Sequence, residues 1–211
     1  MIHVVTTENV GAYADQIMQM HRLRYRVFAK RMNWEVQTNG DMEFDVYDAM
    51  SPVYLLSLSD DGDVRGCLRL LPTTGPYMLK DVFPVLLGKS EPPCDPLILE
   101  SSRFAVDHEM EVDDRAAGIA RATSELFLGI VEYGLPRGMT HIVTVVDRSM
   151  EVLIRRGKVG WTRLAEPAMV GNSMAVAGLG EISEEALIRM RRQAKVEESV
   201  LHQPEHVGAA A

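Results

Sequence analysis

Val53-Tyr-Leu-Leu-Ser-Leu58, Asp60-Asp-Gly-Asp63 and Val64-Arg-Gly-Cys-Leu-Arg-Leu-Leu71 set two apolar runs around an acidic, glycine-containing tetrapeptide. That pattern predicts an antiparallel hairpin whose pairing Pro72 ends. The second run carries Arg69 between Leu68 and Leu70, so a guanidinium must face the interior, an edge or a cleft. Further on, Leu99-Glu-Ser-Ser-Arg-Phe-Ala-Val106 places Glu100 and Arg103 in another strand-like run. An ionised side chain taken out of water alone is heavily penalised, so Arg69, Glu100 and Arg103 are expected to share one compensated network.

Outward from the hairpin, Ile2-His-Val-Val-Thr6 reads as a short strand. A helix follows from about Asn9 to residue 31, where Ile17, Met20, Leu23, Val27 and Phe28 recur near helical spacing. A short helix is predicted over Asp81 to Leu87, and Pro92, Pro93 and Pro96 mark an irregular connection into a strand from Leu97 to Val106. Asp113 and Asp114 are expected to cap a long helix running to about Tyr133, because carboxylates accept the free amides of a first helical turn. Gly134 and Pro136 stop it. His141-Ile-Val-Thr-Val-Val146 reads as a buried strand. A helix over Ser149 to Arg155, strands near Trp161 to Leu164 and Met169 to Val176, and a last helix near Glu184 to Glu198 complete the order. The fold class this predicts is α/β, a three-layer α/β/α sandwich around a mixed, largely antiparallel sheet. One domain is expected over residues 1–211, with 200–211 as a loose tail.

The 211 residues are 46% apolar and 25% charged, an ordinary globular composition with enough chain for a full core. A formal charge of −8 argues against a nucleic-acid partner, which needs a basic footprint. No run approaches the roughly 20 apolar residues of a membrane span, and the first residues lack a basic segment followed by an apolar one. A cytoplasmic protein is therefore expected. Cys67 and Cys94 are expected to be reduced, Cys67 as buried packing rather than a nucleophile. The histidines are scattered and no CxxC pair occurs, so no metal site is expected.

Arg24 and Phe28 lie four apart on the first helix and share a face, with Trp34 just beyond its end. The three can line one concavity. Past Asn39-Gly40, the run Glu43-Phe-Asp-Val-Tyr-Asp48 interleaves acids with apolar and aromatic residues, as a solvated loop or as a set of partners for buried cations. Arginine forms planar bidentate pairs with carboxylates, which makes Asp45, Asp48 and Glu100 natural partners of Arg69, in a structural network or an active site. Glu100 also reads as a general base whose pKa burial raises. In a regular strand Glu100 and Arg103 face opposite ways, so their joint use requires a bulge or a strand end. Arg115-Ala-Ala-Gly118-Ile-Ala120, an R-x-x-G-x-A pattern at the predicted helix start, is an anion-binding element or chance helix packing. Arg148, Arg155, Arg156, Lys158 and Arg163 gather against Glu151 alone, as a surface for an acidic partner or a solvated helix end.

In their order, Arg24-x3-Phe28-x5-Trp34, Glu43-x-Asp45-x2-Asp48, Gly66-Cys-Leu-Arg-Leu-Leu-Pro-Thr-Thr74 and Glu100-Ser-Ser-Arg-Phe104 resemble the autoinducer synthase family, the acyl-homoserine-lactone synthases, over residues 20 to 165. The resemblance implies a GNAT-like fold and an acyltransferase that makes a quorum-sensing signal. Its substrates would be S-adenosylmethionine and an acyl thioester on acyl carrier protein or coenzyme A, with no cofactor. It implies Arg24, Phe28, Trp34, Glu43, Ser102 and Arg103 as the S-adenosylmethionine contacts. Glu100, Arg69, Asp45, Asp48 and Arg103 become the catalytic set, with Glu100 helping to remove the amine proton. Thr144, Leu126, Ile142 and Val146 become the acyl pocket, with Val143 and Val145 as further walls and Thr144 as a residue favouring 3-oxo chains. Arg148, Arg155, Arg156 and Lys158 become the docking surface for the carrier. The competing readings are a GNAT-type N-acyltransferase acting on another amine without lactonisation, and a non-catalytic module that binds acyl groups or S-adenosylmethionine.

Overall fold

The computed structural model describes residues 1–107, 115–116 and 119–202. The predicted hairpin forms the second and third strands of an eight-stranded sheet in the order β1 (Ile2–Val5), β4 (Val53–Leu58), β5 (Val64–Pro72), β6 (Ile98–Val106), β9 (His141–Asp147), β12 (Ser173–Glu181) and β10 (Trp161–Arg163), with β11 (Ala168–Val170) also on β12. Two short ladders, β2 (Thr38–Asn39) with β3 (Met42–Glu43) and β7 (Arg115–Ala116) with β8 (Ile119–Ala120), lie apart from it. Every pairing in the large sheet is antiparallel except β6 with β9. A parallel pair needs a crossover, and α3 (Arg121–Gly134) lies in that connection.

Helices cover both faces. On one, α3, α4 (Arg148–Arg156) and α5 (Glu184–Ala194) bury Leu126, Ile130, Ile154, Leu187 and Met190 against Leu55, Leu68, Leu70 and Ile142. On the other, α1 (Ala14–Arg24) and the turn after it bury Met20, Leu23, Val27 and Phe28 against Leu56 and Cys67. The short helix α2 (Met78–Asp81) caps a third cluster around Leu71, Val143 and Ala177. Consecutive residues of a strand serve opposite layers, as Ile142 and Val143 do. Among the described residues no helix is long and apolar enough to cross a membrane.

Several predicted elements are redrawn. The first helix is a 3₁₀ turn (Val10–Tyr13), α1, and a π-helical turn (Tyr25–Arg31). The wider turn brings both Val27 and Phe28 inward, and π turns of this kind concentrate at functional sites. The helix expected over Asp81 to Leu87 begins at Met78 and is split by Pro84, which opens a separate 3₁₀ turn (Pro84–Leu87) because proline restricts the residue before it and has no amide to continue a helix. The strand expected over Met169 to Val176 is the β11–β12 hairpin, where Gly171 takes φ +57°, the left-handed turn that glycine adopts without steric cost. Asp113 and Asp114 lie outside the described residues, and α3 starts after them, at Arg121. Arg115–Ala116 pairs with Ile119–Ala120 as extended backbone, so the R-x-x-G-x-A pattern precedes the helix rather than opening it; Gly118 lies outside the described residues. The last helix stops at Ala194 because Lys195 turns left-handed at φ +56°. Residues 200 to 202 are anchored rather than loose: the Ile2 amide donates to the Val200 carbonyl at 2.7 Å, and the His202 amide to the Ile2 carbonyl at 2.8 Å. The remaining tail, 203–211, lies outside the described residues.

Candidate active site

Three arginines and three acids close into a ring. Arg24 donates through Nε to Glu43 and through both terminal nitrogens to Asp48, at 2.8 and 2.9 Å. Glu43 also accepts from Arg103 Nε at 3.0 Å, and Arg103 Nη2 lies 2.8 Å from Asp45. Asp45 takes a bidentate pair from Arg69, and Arg69 Nη1 returns to Asp48 at 2.9 Å. Signs alternate around the circuit and sum to zero. Arg24, Glu43 and Arg69 are fully buried; such charges are tolerable only with this degree of pairing. Burial lowers the pKa of Arg24, but bonds from Asp48 and Glu43 overcome it and raise the value above that of free arginine. Burial likewise works against the Asp48 carboxylate, yet Arg24 and Arg69 hold it well below the usual carboxylate range.

Local structure presents each member. Asp45 and Asp48 form a capping box on the 3₁₀ turn Val46–Ala49, each side chain accepting from backbone on the other's side of the turn. Tyr54 Oη donates to Asp48 at 2.7 Å, His21 Nδ1 meets the Glu43 carbonyl at 2.8 Å, and the Arg69 guanidinium lies over the Tyr47 ring. The Met78 sulfur sits 3.3 Å from Arg69 Nη2 and 3.2 Å from Arg103 Nη1. Sequence reasoning missed Tyr54, His21 and Met78. A phenol, an imidazole and a thioether within apolar runs carry no signal that separates a partner from core packing.

The bulge that joint use of Glu100 and Arg103 requires is present. Register slips between β5 and β6, with Cys67 opposite Ala105 but Arg69 opposite Ser102, so Arg103 and Phe104 together face one residue. Arg103 takes φ +55°, a left-handed conformation that costs a non-glycine residue about 1–3 kcal/mol and marks functional sites. The extra residue turns Arg103 to the face already holding Arg69 and Ser102, which are bonded at 3.2 Å. Its guanidinium lies 5.6 Å from the Phe28 ring centre, and Phe28 stacks on the half-buried Trp34 at 5.4 Å with planes 5° apart. Phe28 and Trp34 are thus stacked beside the charged ring that holds Arg24 and Arg103.

Glu100 stands outside the ring, which corrects its expected pairing with Arg69. Its two oxygens accept from the Met78 and Leu79 amides at 3.0 and 2.7 Å, at the start of α2. Those amides are unused within the helix. Burial raises its pKa to about 7, and the two amides with Arg69 and Arg103 only partly oppose the rise. A carboxylate poised there takes and returns protons near neutrality. Cys67, by contrast, is buried and its thiol is pushed up to about 12, which leaves it inert.

Strands β6 and β9 pair only from Ile98–His141 to Ser101–Thr144 and then part. Beyond that last rung, on the face opposite the ring, an apolar recess of about 530 Å³, solvent at its mouth included, is lined by Phe104, Phe127, Ile142, Thr144, Val146 and Trp161 among others. Of the residues expected in the acyl pocket, Ile142, Thr144 and Val146 share this recess. Leu126 does not: it is packed into the core against Gly66, where a Cβ would lie 3.0 Å from its Cδ1. Val143 and Val145 belong to the opposite layer, since alternate residues of β9 change face. Trp161 is fixed by Glu151, whose Oε1 accepts from its indole Nε1 at 2.9 Å. Arg163 and Arg155 bond to the same carboxylate, and these bonds, Arg163 first, hold it at about 2. Arg155 is therefore engaged, whereas Arg148, Arg156 and Lys158 are exposed and meet no carboxylate among the described residues.

Comparison with known proteins gives the family of the chain and its fold. The Autoinducer synthase family profile matches residues 9–190. An acyl-homoserine-lactone synthase of Agrobacterium fabrum is 40% identical over 177 residues, 84% of each chain. One of Pseudomonas aeruginosa is 38% identical over 161 residues, 75% of this chain and 79% of that one. Among solved structures, the CoA-dependent acyl-homoserine lactone synthase BjaI, with SAM and isopentyl-CoA, superposes with a TM-score of 0.85 at 28% identity, covering 96% of this chain and 92% of that one. The AHL synthase LasI superposes at 0.79 with 33% identity, covering 94% and 98%.

Proposed function

The chain belongs to the autoinducer synthase family, and we propose that its charged ring, its buried glutamate and its apolar recess divide the work of making an acyl-homoserine lactone. The reaction is an acyl transfer followed by a ring closure. The α-amine of S-adenosylmethionine attacks the thioester carbonyl, the amide forms and the carrier thiol leaves with a proton. The methionyl carboxylate oxygen then attacks its own γ-carbon, and 5′-methylthioadenosine departs as a neutral sulfide.

Glu100 is the group that takes the amine proton, directly or through one water. Its position carries this reading: it lies one rung before β6 and β9 part, next to the ring on one face and the recess on the other. S-adenosylmethionine has a sulfonium, an ammonium and a carboxylate, a net charge of +1. The neutral ring with ionised Glu100 supplies −1, so the complex is balanced. Phe28 and Trp34 form the apolar wall, where an aromatic face favours a cation, and Arg103 and Ser102 complete the pocket. Where β6 leaves β9, its backbone amides past Ser101 have no β9 partner and are the donors for the carbonyl oxygen as charge develops. The acyl chain enters the recess, and the Thr144 hydroxyl meets the 3-position of a 3-oxo chain. No covalent acyl-enzyme is involved.

Purified protein with S-adenosylmethionine and an acyl thioester is expected to release lactone and methylthioadenosine in equal amounts, measured by mass spectrometry. Amide without methylthioadenosine would instead assign an N-acyltransferase that does not lactonise. Carrier protein is the proposed donor because Arg148, Arg156 and Lys158, on α4 and its C-terminal turn, meet no carboxylate among the described residues, and Met150 and Ile154 of the same helix line the recess. Replacing Arg156 and Lys158 with glutamine is expected to raise the KM for acyl carrier protein about 3- to 10-fold at low salt. The KM for S-adenosylmethionine should not change; an equal rise for a small acyl thioester would remove the docking role.

A further inference from the structure

Phe127 borders two hollows. It lines the recess described above and also a second, smaller one bounded by Ile119, Ser124, Gly157 and Met190. Its side chain is common to both linings. Phe104 meets it at 5.4 Å between ring centres, tilted 40°. From the residue that caps α4, a Cβ on Gly157 would come within 3.0 Å of its Cδ2 and 3.3 Å of its Cε2. Gly157 has φ −69° and ψ −2°, a backbone that any residue adopts, and a Cβ there would crowd the Phe127 ring most, with the Leu153 carbonyl oxygen also at 3.3 Å.

We propose that the Phe127 ring is the end wall of the acyl recess and sets the longest acyl chain that the enzyme accepts. The proposal rests on the reading of that recess as the acyl site. Protein interiors are close-packed, and a hollow that shares an aromatic ring with the recess is space that the ring helps to withhold. Removing the ring joins the two hollows, and an acyl chain gains apolar surroundings for further methylenes toward α5. Pressing the ring the other way shortens the recess. A destabilising change with no bearing on specificity would not act in opposite directions at the two positions.

The test measures kcat/KM for a series of acyl thioesters of increasing length with wild type, Phe127→Ala and Gly157→Ala. For Phe127→Ala, the ratio of the next longer chains to the wild-type optimum is expected to rise roughly tenfold or more, the discrimination typical of one methylene in a fitted pocket. For Gly157→Ala it is expected to fall below the wild-type ratio. Adding Ala194→Leu, at a lining position of the second hollow, to Phe127→Ala should restore the shorter preference. If Phe127→Ala does not fold, Phe127→Leu and Gly157→Ala decide. Unchanged ratios in the folded variants overturn the end wall while leaving the acyl site in place. Lactone formation by wild type with acyl chains that do not compete for the recess, unaffected by Ile142→Phe, overturns the acyl site and this proposal together.

Discussion

Glu100→Gln is expected to lower kcat by about 10²–10⁴-fold in a protein that remains folded. The wild-type rate should climb with pH and level off above about 7, because the carboxyl must lose its proton before it can accept one from the amine, and burial delays that loss to about 7. In the variant that limb disappears, since an amide does not titrate. Stability runs the opposite way. A carboxyl whose folded pKa is raised contributes stability below its unfolded value and loses it as pH rises through the folded one. Wild type should therefore weaken between about pH 4.5 and 7 through this group. Glutamine has one acceptor oxygen for the two amides of Met78 and Leu79, so circular dichroism must confirm the fold before the rate is read. A near-normal rate in a folded variant removes Glu100 as the base.

Arg24→Ala is expected to destabilise the protein by about 3–5 kcal/mol, the usual result of stripping one partner from a buried ion pair. For a chain of this length that corresponds to a fall in Tm of roughly 6–20 °C. The loss is large because Glu43 is left buried with Arg103 alone and Asp48 loses its bidentate partner. Arg24→Lys keeps the charge but loses the planar fork that reaches both acids, and should fall between. Asp48 carries the pH signature: its depressed folded pKa provides stability above about 3.9 that disappears as pH falls. The Tm gap between wild type and Arg24→Ala should therefore narrow in acid. A gap that stays constant down to pH 3 would show that Arg24 does not stabilise the fold through the ionised Asp48.

The layers of the fold and most of the ring were legible because cations inside apolar runs demand partners, and Asp45 and Asp48 offered the right chemistry. The bulge was legible as a requirement but not as a conformation, since arginine rarely takes positive φ and nothing in Ser102-Arg103-Phe104 announces it. The hydrogen-bond partners of Glu100 are not legible because they are backbone amides, which every sequence possesses, whereas its burial and raised pKa follow from a carboxyl set in an apolar run. Leu126 and Phe127 are neighbours on one helix, and choosing which faces the recess needs the helix's rotation, fixed only by tertiary packing. On β9 the alternation of Ile142, Thr144 and Val146 against Val143 and Val145 follows from strand geometry, but the strand's apolar run is continuous and hides which set faces which layer.

A closed circuit of alternating charge has no terminal member, and this bears on how the sequence can be altered. Each of the six residues serves two neighbours, so any single replacement strands charge on both sides. A library that varies one position at a time will score all six as intolerant and conclude that each is individually essential. Coupling between neighbours in one network is large, so a matched exchange of an adjacent acid and base is the route past that barrier. The ring is thus one epistatic unit spread over four separate segments of chain, and it is mutable only in pairs.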